Sequence, residues 1–424
     1  MLLALVVAAH ALTLDEAWDS ADHRGVETQL VREQFNATRT LTGAAWSLVS
    51  PKLVLKGNWT RNDKEITFDT SALIPESLQG LVETGDPLVM QKLSYFDANV
   101  SVIQPLFSGE AIPLLRAAYG QVDAAREDER ALEGKIRSGV ALAYWGVLVA
   151  REGEVIAKDA LASAQKHRKI IETSAEVGLA APTAKLQAQI AESRSVRGVA
   201  AAEEGRVIAE SAFQGLTGLS GDTPVERPAP RVLPWASLDE ALDEAHTRRP
   251  AIRAAGERVK AANSAAVARA LDWLPDVNGR FTYVWTENQS AFNDRSEFWM
   301  IAVEGSWVLW DGGYRLAQQE KSAAERRMAL LAQTSAVAES DAEIRKLWEK
   351  HAKAEASLVT VIHEEELAKE NLRIAEVALE AGSITFLDLE DARVGEAAAR
   401  LGVLQEEMTR DLAAIDLLVA VGRL

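Results

Sequence analysis

Between Ile344 and Leu379 the apolar residues Ile344, Leu347, Ala354, Leu358, Val361, Ala368, Leu372, Ala375 and Leu379 follow an alternating three- and four-residue spacing, interrupted only at His351 and Glu365. A 3.5-residue period held this long specifies a left-handed coiled-coil seam, because it keeps one stripe turned towards a partner helix. The helical pattern that carries it begins after the turn Asp311-Gly312-Gly313 and runs to residue 378. It breaks at Glu380-Ala381-Gly382-Ser383 and then resumes as a second helix. A helix of about 65 residues is roughly 100 Å long. No ordinary globule needs such a rod, so the chain must reach across something.

The same pattern occurs twice. Leu14-Asp15-Glu16-Ala17 recurs as Leu238-Asp239-Glu240-Ala241, and Pro51 recurs as Pro275, both at an offset of 224. Phe107-Ser108-Gly109 matches Trp310-Asp311-Gly312, and Trp145 matches Trp348, at an offset of 203. The difference of 21 is the difference between a 33-residue loop at 62–94 and a 12-residue loop at 286–297. A chance match would not place the whole discrepancy in one loop. The chain is therefore an internal duplication, with a first repeat over 12–219 and a second over 237–424. Each repeat reads helix, strand, loop, strand, long helix, turn, helix. The first helices are expected over about 13–46 and 237–273, and the helical hairpins over 109–217 and 312–423. The first hairpin carries a matching seam from Ile136 to Ala175, interrupted at Glu154 and Arg168, at an offset of 204. Pro224, Pro228, Pro230 and Pro234 make 220–236 an extended connector, since proline cannot continue a helix.

Strands are expected over about 51–61, 95–105, 275–286 and 298–309. Leu53, Leu55 and Trp59 alternate with Lys52, Lys56, Asn58 and Thr60, and Val277, Phe281, Tyr283 and Trp285 alternate with Asn278, Arg280 and Thr282. Phe96, Ala98, Val100 and Val102 repeat the pattern against Asp97, Asn99 and Ser101, as do Trp299, Ile301, Val303 and Trp307 against Ala302, Glu304 and Ser306. Period-2 alternation gives one apolar and one polar face. Strands of this length with aromatics near their ends fit a membrane β-barrel. A half-buried soluble sheet would show the same alternation, but these helices offer a seam rather than a sheet-covering face. Four strands cannot close a barrel, so copies must share one: eight strands in a dimer, twelve in a trimer.

The net charge of −17 and pI near 5.0 exclude nucleic acid as a partner, since phosphate needs a basic surface. Acidity of this kind suits long solvated helices. Length alone allows two or three domains, whereas the Ala- and Glu-rich periodic sequence argues for one elongated body. The absence of cysteine removes disulfides, thiolate metal sites and a lipid-modified N-terminal Cys. Residues 1–11, Met-Leu-Leu-Ala-Leu-Val-Val-Ala-Ala-His-Ala, read as a short signal peptide and hence export. His363-Glu364-Glu365-Glu366 is followed by Leu367, so no zinc-type His-Glu-x-x-His motif exists there. Neither a nucleophile elbow nor a phosphate-cradling loop is present. No catalytic residue, metal or cofactor is expected.

The duplicated order of elements, the Gln104-Pro105-Leu106-Phe107-Ser108-Gly109 passage and the Gly-containing helix tips together resemble the TolC-type outer-membrane efflux proteins. The resemblance covers essentially the whole chain beyond the leader. It implies a mainly α protein of a Gram-negative outer membrane: a homotrimer with a shared 12-stranded barrel and a long periplasmic helical barrel. It also implies a passive exit duct for efflux or type I secretion. Such a duct is coupled through a periplasmic adaptor (membrane fusion) protein to an inner-membrane pump of RND, ABC or MFS type. Adaptor contacts would fall at the tip turns, Gly178-Leu179 and Gly382-Ser383. The family's two constriction aspartates correspond to Asp388 and Asp391, six and nine residues after Gly382. Rings of these would favour cations, with pKa values raised by like-charge proximity. Read without the family, both are carboxylates favoured near a helix N-terminus. The family's lock positions carry Ile384, Leu379 and Ala184 here, so the tip must be held differently. An adaptor or structural coiled coil without a barrel is the alternative. Adaptors carry lipoyl-like β segments beside one hairpin, whereas this chain has two hairpins and four amphipathic strands.

Overall fold

The computed structural model describes residues 11–69, 87–177, 181–289 and 295–424. Of the expected leader, all but Ala11 lies outside them. In order, the elements are α1 (Leu14–Arg24), α2 (Val26–Trp46), β1 (Lys52–Arg61), β2 (Ile66–Phe68), β3 (Leu88–Gln91), β4 (Ser94–Phe107), α3 (Ala111–Glu176) and α4 (Pro182–Thr217), followed by α5 (Leu238–Arg248), α6 (Pro250–Leu271), β5 (Asp276–Thr286), β6 (Glu297–Ser306), α7 (Tyr314–Glu380) and α8 (Phe386–Val421). Both ends of α5 lie 224 residues after those of α1, and both ends of α8 lie 204 after those of α4.

Two expectations are corrected. The first helix of each repeat is not continuous. It breaks at Gly25, which sits in extended backbone and closes on the Ala21 carbonyl. A Cβ there would lie 2.5 Å from the Ala21 oxygen and 2.9 Å from that of Leu216. The copy breaks at the equivalent Arg249, which the following Pro250 bars from helical backbone. Nor is the chain a single body. It divides into two compact units, one formed by Met1–Asn36, Ala124–Gly256 and Ala332–Leu424, the other by Ala37–Asp123 and Glu257–Leu331. Each draws on both repeats, so the unit boundary is not the repeat boundary. In the second unit, the 33-residue loop holds a short β2–β3 hairpin.

In the first unit, α1 and α5 cover equivalent stretches of core. Leu14, Ala17, Trp18 and Ala21 pack on Val140, Tyr144, Val147, Phe213 and Ile415. Ala241, Leu242 and Ala245 pack on Ile344, Leu417, Ala420 and Val421. Burial along α7 follows the heptad: Ile344, His351, Ala354, Leu358 and Ala375 are buried, and Leu347, Val361, Glu365, Ala368, Leu372 and Leu379 half-buried. On α3, the polar interruptions of the first seam are satisfied by ion pairs. Glu154 bonds Lys158 and Arg206, both at 2.5 Å, and Arg168 bonds Glu172 at 3.0 Å and Glu192 at 2.7 Å. The connector is strapped down by side chains. Arg151 donates to the Gly221 and Thr223 carbonyls, and the Tyr144 hydroxyl meets both the carbonyl and the amide of Glu226. Asp411, fully buried on α8, accepts from the Arg231 amide at 3.1 Å.

Burial holds the His351 imidazole below its ordinary pKa, so the folded chain binds fewer protons there than the unfolded chain. Stability from this residue is therefore present above about pH 6.5 and is lost as pH falls. Asp411, pushed up by burial, acts with the opposite sign, so the difference between variants isolates the histidine. His351→Gln should lower Tm less than the wild type when helical circular dichroism melts at about pH 7.5 and 5.5 are compared.

The second unit contains an antiparallel sheet in the order β1-β4-β5-β6. Its register aligns Leu53, Val102, Phe281 and Ile301 in one row, Leu55, Val100, Tyr283 and Trp299 in the next, and Trp59 beside Phe96. One face is thus apolar across all four strands. The other carries the row Val54, Ser101, Thr282 and Met300, with Lys56, Asn99 and Asp97 nearby. A soluble sheet would bury the first face and wet the second. Here Leu53 is 74% and Ile301 69% exposed, while Ser101 and Thr282 are 6% and 8% exposed and hydrogen-bonded to each other at 3.0 Å. The sheet is inside-out. An exposed apolar face of this kind suits contact with lipid. Among the described residues no helix is long and apolar enough to cross a membrane.

Candidate functional site

The turn between α7 and α8 is a Schellman closure: the Ser383 amide reaches the Ala378 carbonyl and the Gly382 amide reaches that of Leu379, each at 2.9 Å. Gly382 takes φ +70°, where a side chain would be strained, as its position in the sequence leads one to expect. Thr385 then caps α8. Its hydroxyl accepts from the Asp388 amide at 3.3 Å, and the Asp388 carboxylate accepts from the Thr385 amide at 2.8 Å and hydroxyl at 2.7 Å. This reciprocal capping box was legible as Thr385-x-x-Asp388.

Asp388 and Asp391 stand one turn apart, both exposed, and each is followed by a buried residue, Leu389 and Ala392. The side-chain and backbone hydrogen bonds of Thr385 hold the Asp388 carboxyl below the usual carboxylate range. That direction, within one protomer, is opposite to the one like-charge neighbours would give. Asp388 is thus an exposed carboxylate that also caps the N-terminus of α8. Ser383 is exposed at the turn and donates its hydroxyl to the Ala378 carbonyl at 2.9 Å. Gly178 and Leu179 of the first tip lie outside the described residues.

The positions lacking the family's lock residues form something else. Leu379 and Ile384 pack with Leu372 and Phe386 against the buried Ala375, Leu389 and Ala392, giving the second hairpin an apolar end of its own. Ala184 is half-buried in the first turn of α4. Sequence reasoning missed what ties α3 to this tip. His167 and Phe386 stack within 3° of parallel. Ser163 donates to Glu390 at 2.7 Å and meets Arg393, which bonds Glu390 at 3.1 Å. Further along the same pair of helices, Glu152 binds Arg400 at 2.7 Å. Burial holds the His167 imidazole below its ordinary pKa, against the opposing pull of Glu390. Nothing in the spacing marked these contacts, because they join the two repeats.

An inside-out four-stranded sheet in one chain with two long helical hairpins recurs in known proteins. The family model for outer membrane efflux proteins matches residues 29–219 and 241–423. The chain belongs to the outer membrane efflux protein family. No curated sequence matches it. Among solved structures, the efflux protein is similar to the Campylobacter jejuni CmeC outer membrane channel, with 16% identity and a TM-score of 0.77, over 96% of this chain and 85% of the other. It is also similar to VceC of Vibrio cholerae (17% identity, TM-score 0.72, 96% of each chain). A third is the open-state Neisseria gonorrhoeae MtrE channel (19% identity, TM-score 0.73, 96% and 88%). At these identities the structures establish the shared fold. The family establishes an efflux channel of the outer membrane, which sets aside an adaptor without a barrel.

Proposed function

We propose that this efflux protein is the passive exit duct of a tripartite efflux or type I secretion system, working as a homotrimer. The observation that carries this reading is the sheet: one exposed face that is apolar through its middle rows, one polar face, and outer edges on β1 and β6. Three copies joined edge to edge give twelve strands, with the polar row of Ser101 and Thr282 lining water and the apolar rows facing lipid. An unpaired edge in a bilayer leaves backbone donors and acceptors unsatisfied, so closure between copies is the state the physics favours. A periplasmic adaptor engaging the turns at Gly178-Leu179 and Gly382-Ser383 would couple the duct to an inner-membrane pump of RND, ABC or MFS type.

The constriction is assigned to Asp388 and Asp391. Their exposure on the side of α8 away from its apolar cluster supports this, and the depressed pKa keeps Asp388 ionised at neutral pH. Three copies would ring the axis with carboxylates and favour cations. Asp388→Asn combined with Asp391→Asn removes both charges but keeps a side-chain carbonyl oxygen for the cap of α8. The double variant should lower the cation-to-anion permeability ratio several-fold in planar bilayers. Unchanged selectivity would remove both residues from the constriction. Membrane fractionation with heat-modifiable gel mobility tests the duct itself, since a soluble monomer is incompatible with it.

A further inference from the structure

At the base of the sheet an apolar groove of about 460 Å³ opens between the end of β4 and the starts and ends of neighbouring helices. Val49, Leu106, Phe107, Ile112, Val267 and Leu271 line it, with Ser108 and Arg116 as its polar members. The groove continues the lipid-facing surface. Leu106 lies over Gly279, where a Cβ would come within 3.4 Å of it, and Gly279 shares its face with Phe281. Leu106, Ile112 and Val267 are about half exposed, so the protomer leaves the groove uncovered.

Three features of this region point to one occupant. Arg116 is exposed and has no hydrogen-bond or ion-pair partner among the described residues, whereas Arg269 and Arg315 of the same unit are paired to Glu110 and Asp311. The first turn of α3 begins at Ala111 beside Ser108, so the positive end of the helix lies at the groove mouth. Two aromatic pairs lie in the same unit: Trp46 Nε1 donates to the Tyr119 hydroxyl, and Trp307 Nε1 to the Trp273 backbone carbonyl, each at 3.0 Å. Amphipathic aromatics of this kind mark the level of lipid headgroups.

We infer that this groove holds one acyl chain of a membrane glycerophospholipid, whose phosphate is bound by Arg116. An acyl chain satisfies the apolar walls, which water would wet poorly. A phosphodiester supplies the anion that Arg116 lacks, in the bidentate geometry guanidinium favours. A second protein copy would also cover the walls, and the crosslinking below distinguishes it from lipid. The inference rests on the membrane placement of the sheet and is independent of the pump or adaptor served.

The test uses full-length oligomer in vesicles of phosphatidylethanolamine and phosphatidylglycerol, doped with phosphatidylglycerol carrying a diazirine in its acyl chain. After irradiation, peptides covering 105–116 and 267–274 should be labelled well above the peptide carrying Ile301, which meets bulk lipid. Arg116→Glu should cut the groove labelling several-fold while labelling at Ile301 and heat-modifiable mobility stay unchanged. Ile112→Trp, which fills the groove without touching the charge, should have the same effect. Groove labelling no higher than at Ile301, or unaltered by Arg116→Glu, overturns the inference. Protein–protein crosslinks in its place would assign the groove to a second copy. Loss of labelling at Ile301 as well would instead contradict the membrane placement of the sheet.

Discussion

Ile301→Arg should abolish assembly in the outer membrane, while Met300→Arg, one residue away, should be tolerated. Ile301 lies in the apolar row with Leu53, Val102 and Phe281 and is 69% exposed. Met300 pairs with Thr282 on the polar face. An arginine on the lipid face costs about 2–4 kcal/mol near the bilayer midplane. In the proposed trimer the substitution enters three times, so the penalty reaches about 6–12 kcal/mol if the sites act independently. That is comparable to the whole stability of a typical domain. At Met300 the same guanidinium would meet water and the Thr282 hydroxyl. Fractionation followed by heated and unheated gel mobility measures both variants. Equal tolerance of the two arginines would mean that neither face meets lipid.

The seam and the strands were legible because both rest on periodicity, which the sequence displays directly. Burial along α7 at Ile344, Ala354, Leu358 and Ala375 follows the spacing residue by residue, and the alternation placed Leu53, Phe281 and Ile301 on one face. Strand order was not legible. Alternation assigns a face but not a neighbour, and the β4–β5 pairing joins the two repeats. The break at Arg249-Pro250 had a written cause, but at Gly25 the apolar pattern ran through the kink, and glycine within a helix costs only about 1 kcal/mol. At the tip, Gly382 and the Thr385-Asp388 cap could be read locally. The roles of Leu379 and Ile384 could not, since their place in the cluster around Leu389 depends on how α7 and α8 face each other. Asp388 shows the limit most directly: its spacing allowed a helix N-terminal carboxylate or a constriction, and the fold makes it the cap of α8 without removing it from the surface.

Leu389→Ala should leave the duct folded but unable to stay shut. Leu389 is 4% exposed at the centre of the only large apolar contact described at the second tip, where Leu379 and Ile384 replace the polar lock. Truncating a buried leucine costs about 2–5 kcal/mol, depending on how far the site collapses. Here that cost falls on the last turns of a hairpin, where local opening needs far less energy than global unfolding. The tip should therefore splay while the core around Tyr144, Phe213 and Ile415 keeps the body intact. Single-channel conductance should rise and cells should admit large hydrophilic antibiotics, with the helical melting temperature little changed. Val394→Ala, at an exposed site on the same helix, should do neither. The signature differs from that of the Asp388 and Asp391 substitutions, which should alter selectivity at nearly constant conductance. If Leu389→Ala splays the tip, as increased protease access at Gly382 would report, and conductance still does not rise, the duct must be closed somewhere other than here.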